Sequence, residues 1–188
     1  NKGIYVNYGL LKDETKSFYR SYFKFKKNKL PFVTYKLAIS RDYFIVNKKD
    51  KYITNEFSRG RVHLMRYNHD CIITSSKSII SDNSKLTCRI DGLICRSPAR
   101  IILDKKLKIP LSSNIIKQAN KFNTIIFYNK KNYKIKILRK LKVKLIKMPI
   151  DDEKNLDLEK VLIKTRKLGF SRILLECGAK LGKNFLKK

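Results

Sequence analysis

Residues 170–186 read Phe-Ser-Arg-Ile-Leu-Leu-Glu-Cys-Gly-Ala-Lys-Leu-Gly-Lys-Asn-Phe-Leu, and the fold follows from them. Ile173, Leu174 and Leu175 form a short apolar run of the kind that makes a buried strand. Glu176 closes the run. Gly178 and Gly182 then bracket a turn into an amphipathic segment with Leu181, Phe185 and Leu186. A strand, an acid, a glycine turn and a helix start point backbone N–H groups outward at a sheet's carboxyl edge, where anions settle. The spacing is not that of the dinucleotide fingerprint, and it is one residue short of a P-loop, with Asn184 where Ser or Thr would bind Mg²⁺. The stretch is therefore either a phosphate-binding turn of another kind or an ordinary strand-to-helix connection.

Working outward, 188 residues suffice for one domain with an extra arm, and 43% apolar content argues for a globular core. No run of about 18 apolar residues predicts a transmembrane helix, and no signal peptide is visible. The first residue is Asn, which predicts a piece of a longer product. The formal charge of +30 comes from lysines and arginines spread along nearly every segment. It fits either a solvated lysine-rich surface or a nucleic-acid face, and non-specific polyanion binding is expected in both cases. Cys71, Cys88, Cys95 and Cys177 form no Cys-x-x-Cys pair, and His63 and His69 are not spaced with them as zinc ligands. These features predict a reduced, cytoplasmic chain without a metal.

In chain order, residues 3–9 read as a short strand and Asp13 to Lys26 as a helix. Phe18, Tyr19, Tyr22 and Phe23 share one face of that helix, as core or interdomain packing or as a base-stacking platform. Phe32 to Ser40 reads as a buried strand. Lys36 within it needs a partner or a site, unless the strand is an edge with Lys36 in water. Residues 41–51 read as loop. Thr54 suits an N-cap, with a helix to about Tyr67 that turns Phe57, Val62 and Met65 inward. Cys71–Thr74, Ala99–Leu103, Asn123–Phe127 and Val143–Ile146 read as strands, and Leu86–Arg89 as a short extended piece. Leu158, Val161, Leu162 and Leu168 make one helical face, which Gly169 ends. Strands alternating with helices predict an α/β sheet, largely parallel. Ser40, Thr74 to Ser78, Asp104 and Glu176 recur at strand carboxyl ends, where such sheets bind ligands.

The order of several motifs is informative where each alone is weak. Pro31 to Ser40, Tyr52-Ile-Thr54, Arg61-Val-His-Leu-Met-Arg66, Asp70-Cys-Ile-Ile73, Ser78-Ile-Ile-Ser-Asp82, Leu86-Thr-Cys-Arg89, Arg100-Ile-Ile-Leu-Asp104 and Leu175-Glu-Cys-Gly-Ala-Lys-Leu181 follow one another. This succession resembles the reductase domain of the bifunctional riboflavin-biosynthesis deaminase-reductase (RibD) family. The resemblance runs from Pro31 almost to the end. It implies a dihydrofolate-reductase-like α/β fold, with a mixed, mostly parallel sheet flanked by helices. It implies NADPH as hydride donor, and a phosphoribosylaminopyrimidine substrate, 5-amino-6-(5-phosphoribosylamino)uracil, whose ribose becomes ribityl. Carried over by position, Ala38, Tyr52, Ser78, Asp82 and a loop of Gly178, Ala179, Lys180, Leu181, Gly182, Lys183 and Asn184 would hold NADPH. Lys36, Asp50, Arg66, Leu86, Arg89 and Glu176 would face the substrate. Arg66 and Arg89 can fork onto a phosphate, and Glu176 can accept from ribose or pyrimidine donors. Lys36 and Glu176 are the candidate catalytic groups, Lys36 to polarise the carbon that takes the hydride. Ser75, Lys77 and Lys105 are candidates for a 2′-phosphate contact.

Residues 1–30 resemble the tail of the family's deaminase domain and its linker, and 31–188 its reductase domain. The zinc deaminase signature is absent, so this piece should not deaminate. The family's last strands, after the helix near Lys180, are missing, so the chain reads as truncated at both ends with an exposed sheet edge. Expected partners are a deaminase domain on the full-length chain and a second copy, with no membrane. The family's Ser-x-Asp-Gly turn is here Ser40-Arg-Asp-Tyr43, which predicts loss of the glycine turn. The competing readings are a basic nucleic-acid-binding α/β module and an inactive truncated relative of the reductase.

Overall fold

The computed structural model describes residues 2–28, 30–45 and 53–187. Six strands form one sheet in the order β1-β6-β2-β3-β4-β5. They are β1 (Phe32–Tyr35), β2 (Cys71–Ser75), β3 (Ala99–Leu103), β4 (Thr124–Tyr128), β5 (Lys144–Lys147) and β6 (Arg172–Leu175). Every pairing between these strands is parallel. The inner strands read as unbroken apolar runs because helices cover both faces, which leaves no polar side to alternate with.

Pleating divides the runs between two cores. Ile73, Ile101, Leu103, Phe127, Ile173 and Leu175 face α6 (Leu158–Lys167) and α7 (Ala179–Leu186). Ile72, Ile102, Ile126 and Leu174 face α3 (Ser76–Asp82), α4 (Asn114–Lys117) and α5 (Lys134–Lys140). The helix α6 begins where Asp157 accepts from the Lys160 amide at 3.1 Å, and it ends at Gly169 with φ +94°. Glycine suits that left-handed position because it has no Cβ.

Several expectations change. Residues 3–9 form no strand, since no neighbouring strand completes their ladder. The helix α1 (Lys12–Asn28) forms, but Phe18, Tyr19, Tyr22 and Phe23 stay exposed in a cluster of their own rings, outside the core of this chain. β1 stops at Tyr35, so Lys36 lies just beyond the strand, its amide still donating to the Leu175 carbonyl at 3.1 Å. The helix α2 (Glu56–Tyr67) is capped by Asn55, not Thr54: the Asn55 side chain accepts from the Ser58 amide at 2.9 Å. Phe57 points to solvent, being five residues and so about 140° around the helix from Val62. Leu86–Arg89 joins no sheet because Leu86 has φ +53°, which turns the chain out of a strand path. The turn at 40–43 survives without its glycine. Tyr43 adopts φ +66° itself, and Ser40 Oγ accepts the Phe44 amide at 2.9 Å.

Two polar staples hold the amino-terminal edge. Asp70 accepts from the Ser171 amide (2.7 Å), the Ser171 hydroxyl (2.8 Å) and the Arg172 amide (2.8 Å), tying the start of β2 to that of β6. Arg100 of β3 is fully buried and donates to the carbonyls of Lys85 (3.1 Å), Gln118 (3.2 Å) and Phe122 (3.1 Å) and to Thr124 Oγ1 (2.6 Å). Burial lowers its pKa to about 10, still far above neutrality, so it stays charged. Arg100→Met keeps the volume but strands those acceptors. It should lower stability by about 3 kcal/mol and the melting temperature by about 6–12 °C. A melt within about 2 °C of the parent would show that the acceptors find other donors.

Candidate active site

The site lies at the carboxyl ends of β1, β6 and β2. Glu176 follows β6, and its amide donates to the Ile73 carbonyl at 3.0 Å, so the backbone fixes it against β2. Its carboxylate is buried and paired with Arg66 from the last turn of α2. Arg66 Nε donates to Oε1 at 2.7 Å and Nη2 to Oε2 at 3.0 Å, a bidentate fork. Arg66 Nη1 donates to the Thr87 carbonyl at 3.0 Å. Lys36 Nζ stands 3.7 Å from Glu176 Oε2, in ion-pair range. Burial works to raise the Glu176 carboxyl. The Arg66 hydrogen bonds and charge, with Lys36 and His63, outweigh it and hold it below its ordinary value.

Of the residues singled out in sequence, Lys36, Arg66 and Glu176 come together directly. Arg66 uses each of its three side-chain nitrogens on Glu176 or Thr87, which holds the carboxylate in place. Arg89 is exposed, and its guanidinium has no hydrogen-bond partner among the described residues. Leu86 is buried in the core that it shares with Ile79 of α3. Asp104 is engaged by its own turn. Its carboxylate accepts from the Lys108 (2.9 Å) and Ile109 (2.8 Å) amides and staples its own turn.

The expected loop at 178–184 is instead a cap and the first turns of α7. Gly178 is the N-cap, and the Gly182 amide donates to its carbonyl at 3.1 Å. Ala179, Lys180 and Leu181 keep amides without an intrahelical acceptor. Lys183 and Asn184 lie in the second turn, past those free donors. The two glycines do different work. A Cβ on Gly182 would lie 2.2 Å from the Tyr35 hydroxyl, so that glycine lets α7 pack on β1. A Cβ on Gly178 would meet nothing within 4 Å, so it borders open space in front of the helix. Free amides, open space and no acid in the first turn fit an anionic group such as a cofactor pyrophosphate.

Ser78 stands in the first turn of α3, its amide donating to the Ser75 cap at 3.2 Å, and Asp82 lies exposed at that helix's end. Ala38 is half-buried beyond β1. Asp50 and Tyr52 lie outside the described residues. Next to α3, Ser76, Asp104, Lys105, Lys106 and Lys108 line a cleft of about 330 Å³. Among the described residues no cluster of His, Cys, Asp and Glu is suited to a metal ion.

Sequence reasoning missed His63 and Thr87. His63 Nδ1 lies 3.1 Å from the Thr87 carbonyl oxygen and 3.2 Å from the Arg89 amide nitrogen. The available signal was spacing: His63 precedes Arg66 by three residues and so shares its face of α2.

With this geometry in hand, comparison with known proteins is specific. Residues 31–188 match the model of the RibD C-terminal domain. The riboflavin biosynthesis protein RibD of Actinobacillus pleuropneumoniae is 29% identical over 182 residues, covering 95% of this chain and 48% of that protein. The chain thus spans about half the length of the curated relatives it matches. Among solved structures, a Thermotoga maritima diaminohydroxyphosphoribosylaminopyrimidine deaminase/5-amino-6-(5-phosphoribosylamino)uracil reductase superposes with a TM-score of 0.77 at 24% identity, over 95% of this chain and 48% of its own. The Saccharomyces cerevisiae riboflavin biosynthesis reductase superposes with a TM-score of 0.65 at 22% identity, over 89% of this chain and 73% of its own. The fold is therefore the dihydrofolate-reductase-like one of the RibD reductases, and the chain belongs to the RibD C-terminal domain family of riboflavin biosynthesis.

Proposed function

We propose that this domain catalyses the NADPH-dependent reduction of the ribose of 5-amino-6-(5-phosphoribosylamino)uracil to the ribityl product. The observation that carries the reading is the Lys36–Glu176–Arg66 cluster beside the open amino terminus of α7. Arg66 fixes the Glu176 carboxylate as an acceptor for substrate hydroxyl or pyrimidine N–H groups. Lys36, tethered by Glu176, presents an ammonium that can polarise the sugar carbon's oxygen or nitrogen. Arg89 is placed to take the substrate phosphate. The α7 amides and Gly178 suit the pyrophosphate, and Ser78 and Asp82 the same cofactor's flank. The lysines at 105, 106 and 108 suit a 2′-phosphate. NADPH, when bound, supplies the hydride; the protein's share is orientation and charge. The exposed rings of α1, amino-terminal to the matched region, suit docking on the deaminase domain of a longer chain or on a second copy of this one.

The test is an NADPH titration at about 150 mM salt, which screens non-specific anion binding. Gly178→Val fills the open space and should weaken NADPH at least tenfold, while Glu176→Gln should keep NADPH binding and lose turnover. No saturable NADPH binding by the folded chain would assign it to the inactive relatives.

The pH dependence has a definite sign. The Glu176 pKa is lower folded than unfolded, where it takes its ordinary value of 4.5. Its stabilisation is therefore complete above that value and lost as pH falls through the folded pKa. The melting-temperature gap between the parent and Glu176→Gln should be widest at neutral pH and shrink below about pH 4. A gap independent of pH would show that the Glu176 charge contributes nothing to stability.

A further inference from the structure

One imidazole nitrogen faces two backbone groups that make opposite demands. His63 Nδ1 is 3.2 Å from the Arg89 amide nitrogen and 3.1 Å from the Thr87 oxygen. It accepts from Arg89 when unprotonated and donates to Thr87 when protonated, and it cannot do both. The Thr87 oxygen already has a donor in Arg66 Nη1 at 3.0 Å. The Arg89 amide has no other acceptor among the described residues. A neutral ring with its proton on Nε2 therefore satisfies every group, and a protonated ring leaves the Arg89 amide bare.

The segment that carries Arg89 needs such holding. Leu86 sits at φ +53°, a conformation that a branched side chain keeps only when its surroundings over-determine it. Its side chain is locked in the core, Thr87 is held by Arg66, and the Cys88 amide donates to Ser97 Oγ at 3.1 Å. Arg89 is the last link, and His63 holds it. We propose that neutral His63 is a positioning residue that accepts the Arg89 amide, fixes the backbone from which the Arg89 guanidinium reaches the substrate phosphate, and releases that backbone when protonated.

The charged groups acting on the ring are Arg66 on its own helix, Arg89 on the clamped segment and Glu176 after β6. Burial, then the two arginines, lower its pKa, against the Thr87 carbonyl and Glu176. The clamp is thus closed at neutral pH and opens as pH falls below the ordinary 6.5. This inference rests on the reading of Arg89 as a phosphate contact, so its test has one arm that needs no substrate.

In that arm, long-range ¹H–¹⁵N spectra of the ligand-free chain should show the Nε2–H tautomer, with the Arg89 amide resonance following the His63 titration. An Nδ1–H tautomer at pH 7.5, or an Arg89 amide blind to that titration, overturns the clamp. In the second arm, His63→Phe keeps the ring but removes the acceptor. It should raise KM for the phosphorylated pyrimidine about three- to tenfold, with kcat and NADPH Kd within about twofold. His63→Asn, whose side-chain oxygen can take the place of Nδ1, should recover KM and abolish its rise at acid pH. Equal damage in both variants, or loss of kcat at unchanged KM, overturns the positioning role. Failure of the parent chain to reduce the substrate overturns the functional reading, and the spectra then decide the clamp by themselves.

Discussion

The fork between Arg66 and Glu176 is the contact on which the site depends. The two residues are 110 positions apart, one ending α2 and the other ending β6, and both are largely buried. Desolvating a carboxylate there is unfavourable unless a cation meets it with good geometry, and removing one partner of such a pair costs about 3–5 kcal/mol. The fork fixes α2 against the carboxyl edge of the sheet. Through the same guanidinium, the Thr87 carbonyl and the segment leading to Arg89 are tied to it. Lys36 approaches the same carboxylate oxygen that accepts from Arg66 Nη2. A single ion pair thus sets the positions of the Glu176 carboxylate, the Lys36 ammonium beside it and the Thr87 backbone.

Charge scarcity explains why the acids read so clearly. The chain has 45 Lys and Arg against 15 Asp and Glu. With so few carboxylates, several are spent where backbone donors would otherwise go unpaired. Asp70 takes three donors at the start of β6, Asp104 takes two in its turn, and Asp157 caps α6. Asp104 and Asp157 act within their own turns, whereas Asp70 reaches across to Ser171 and Arg172 at the start of β6. Glu176 differs because its partners are cationic side chains remote in sequence, Arg66 and Lys36. That difference, and not its place at a strand end, sets it apart; Asp104 ends a strand equally well.

The strands and α6 were legible because their signals are local. Apolar runs of four or five residues and a capped amphipathic helix are the same in any surroundings. What was not legible depends on tertiary closure. Residues 3–9 have strand composition but no neighbour to pair with. Tyr43 and Leu86 take positive φ values that their residue types disfavour, so no reading of propensity places those turns. Gly178 and Gly182 look alike in sequence, and only the Tyr35 ring beneath Gly182 separates a packing glycine from one that borders open space. At the site, Lys36 and Glu176 could be read from their unusual setting. The role of Arg66 could not, because its partner is remote in sequence, and His63 was hidden inside a motif whose last residue drew the attention.

The strand order supplies the reason that the site is built from such distant pieces. β6, the last strand among the described residues, inserts between β1 and β2. Its carboxyl end therefore lies between the end of β1, which brings Lys36, and the end of β2, whose Ile73 carbonyl holds the Glu176 amide. Before β6 docks, Arg66 has no counter-ion and the clamp on Thr87 has no fixed base. Because closing so long a loop is slow relative to local pairing, β2, β3 and β4 can associate first. Docking of the stretch from Phe170 to Leu186 completes this edge of the sheet. The same stretch carries the acid, the helix that offers its amides and the glycine that lets this helix lie on Tyr35. Substitutions there should couple folding and binding, whereas changes on the β4–β5 side should alter stability alone.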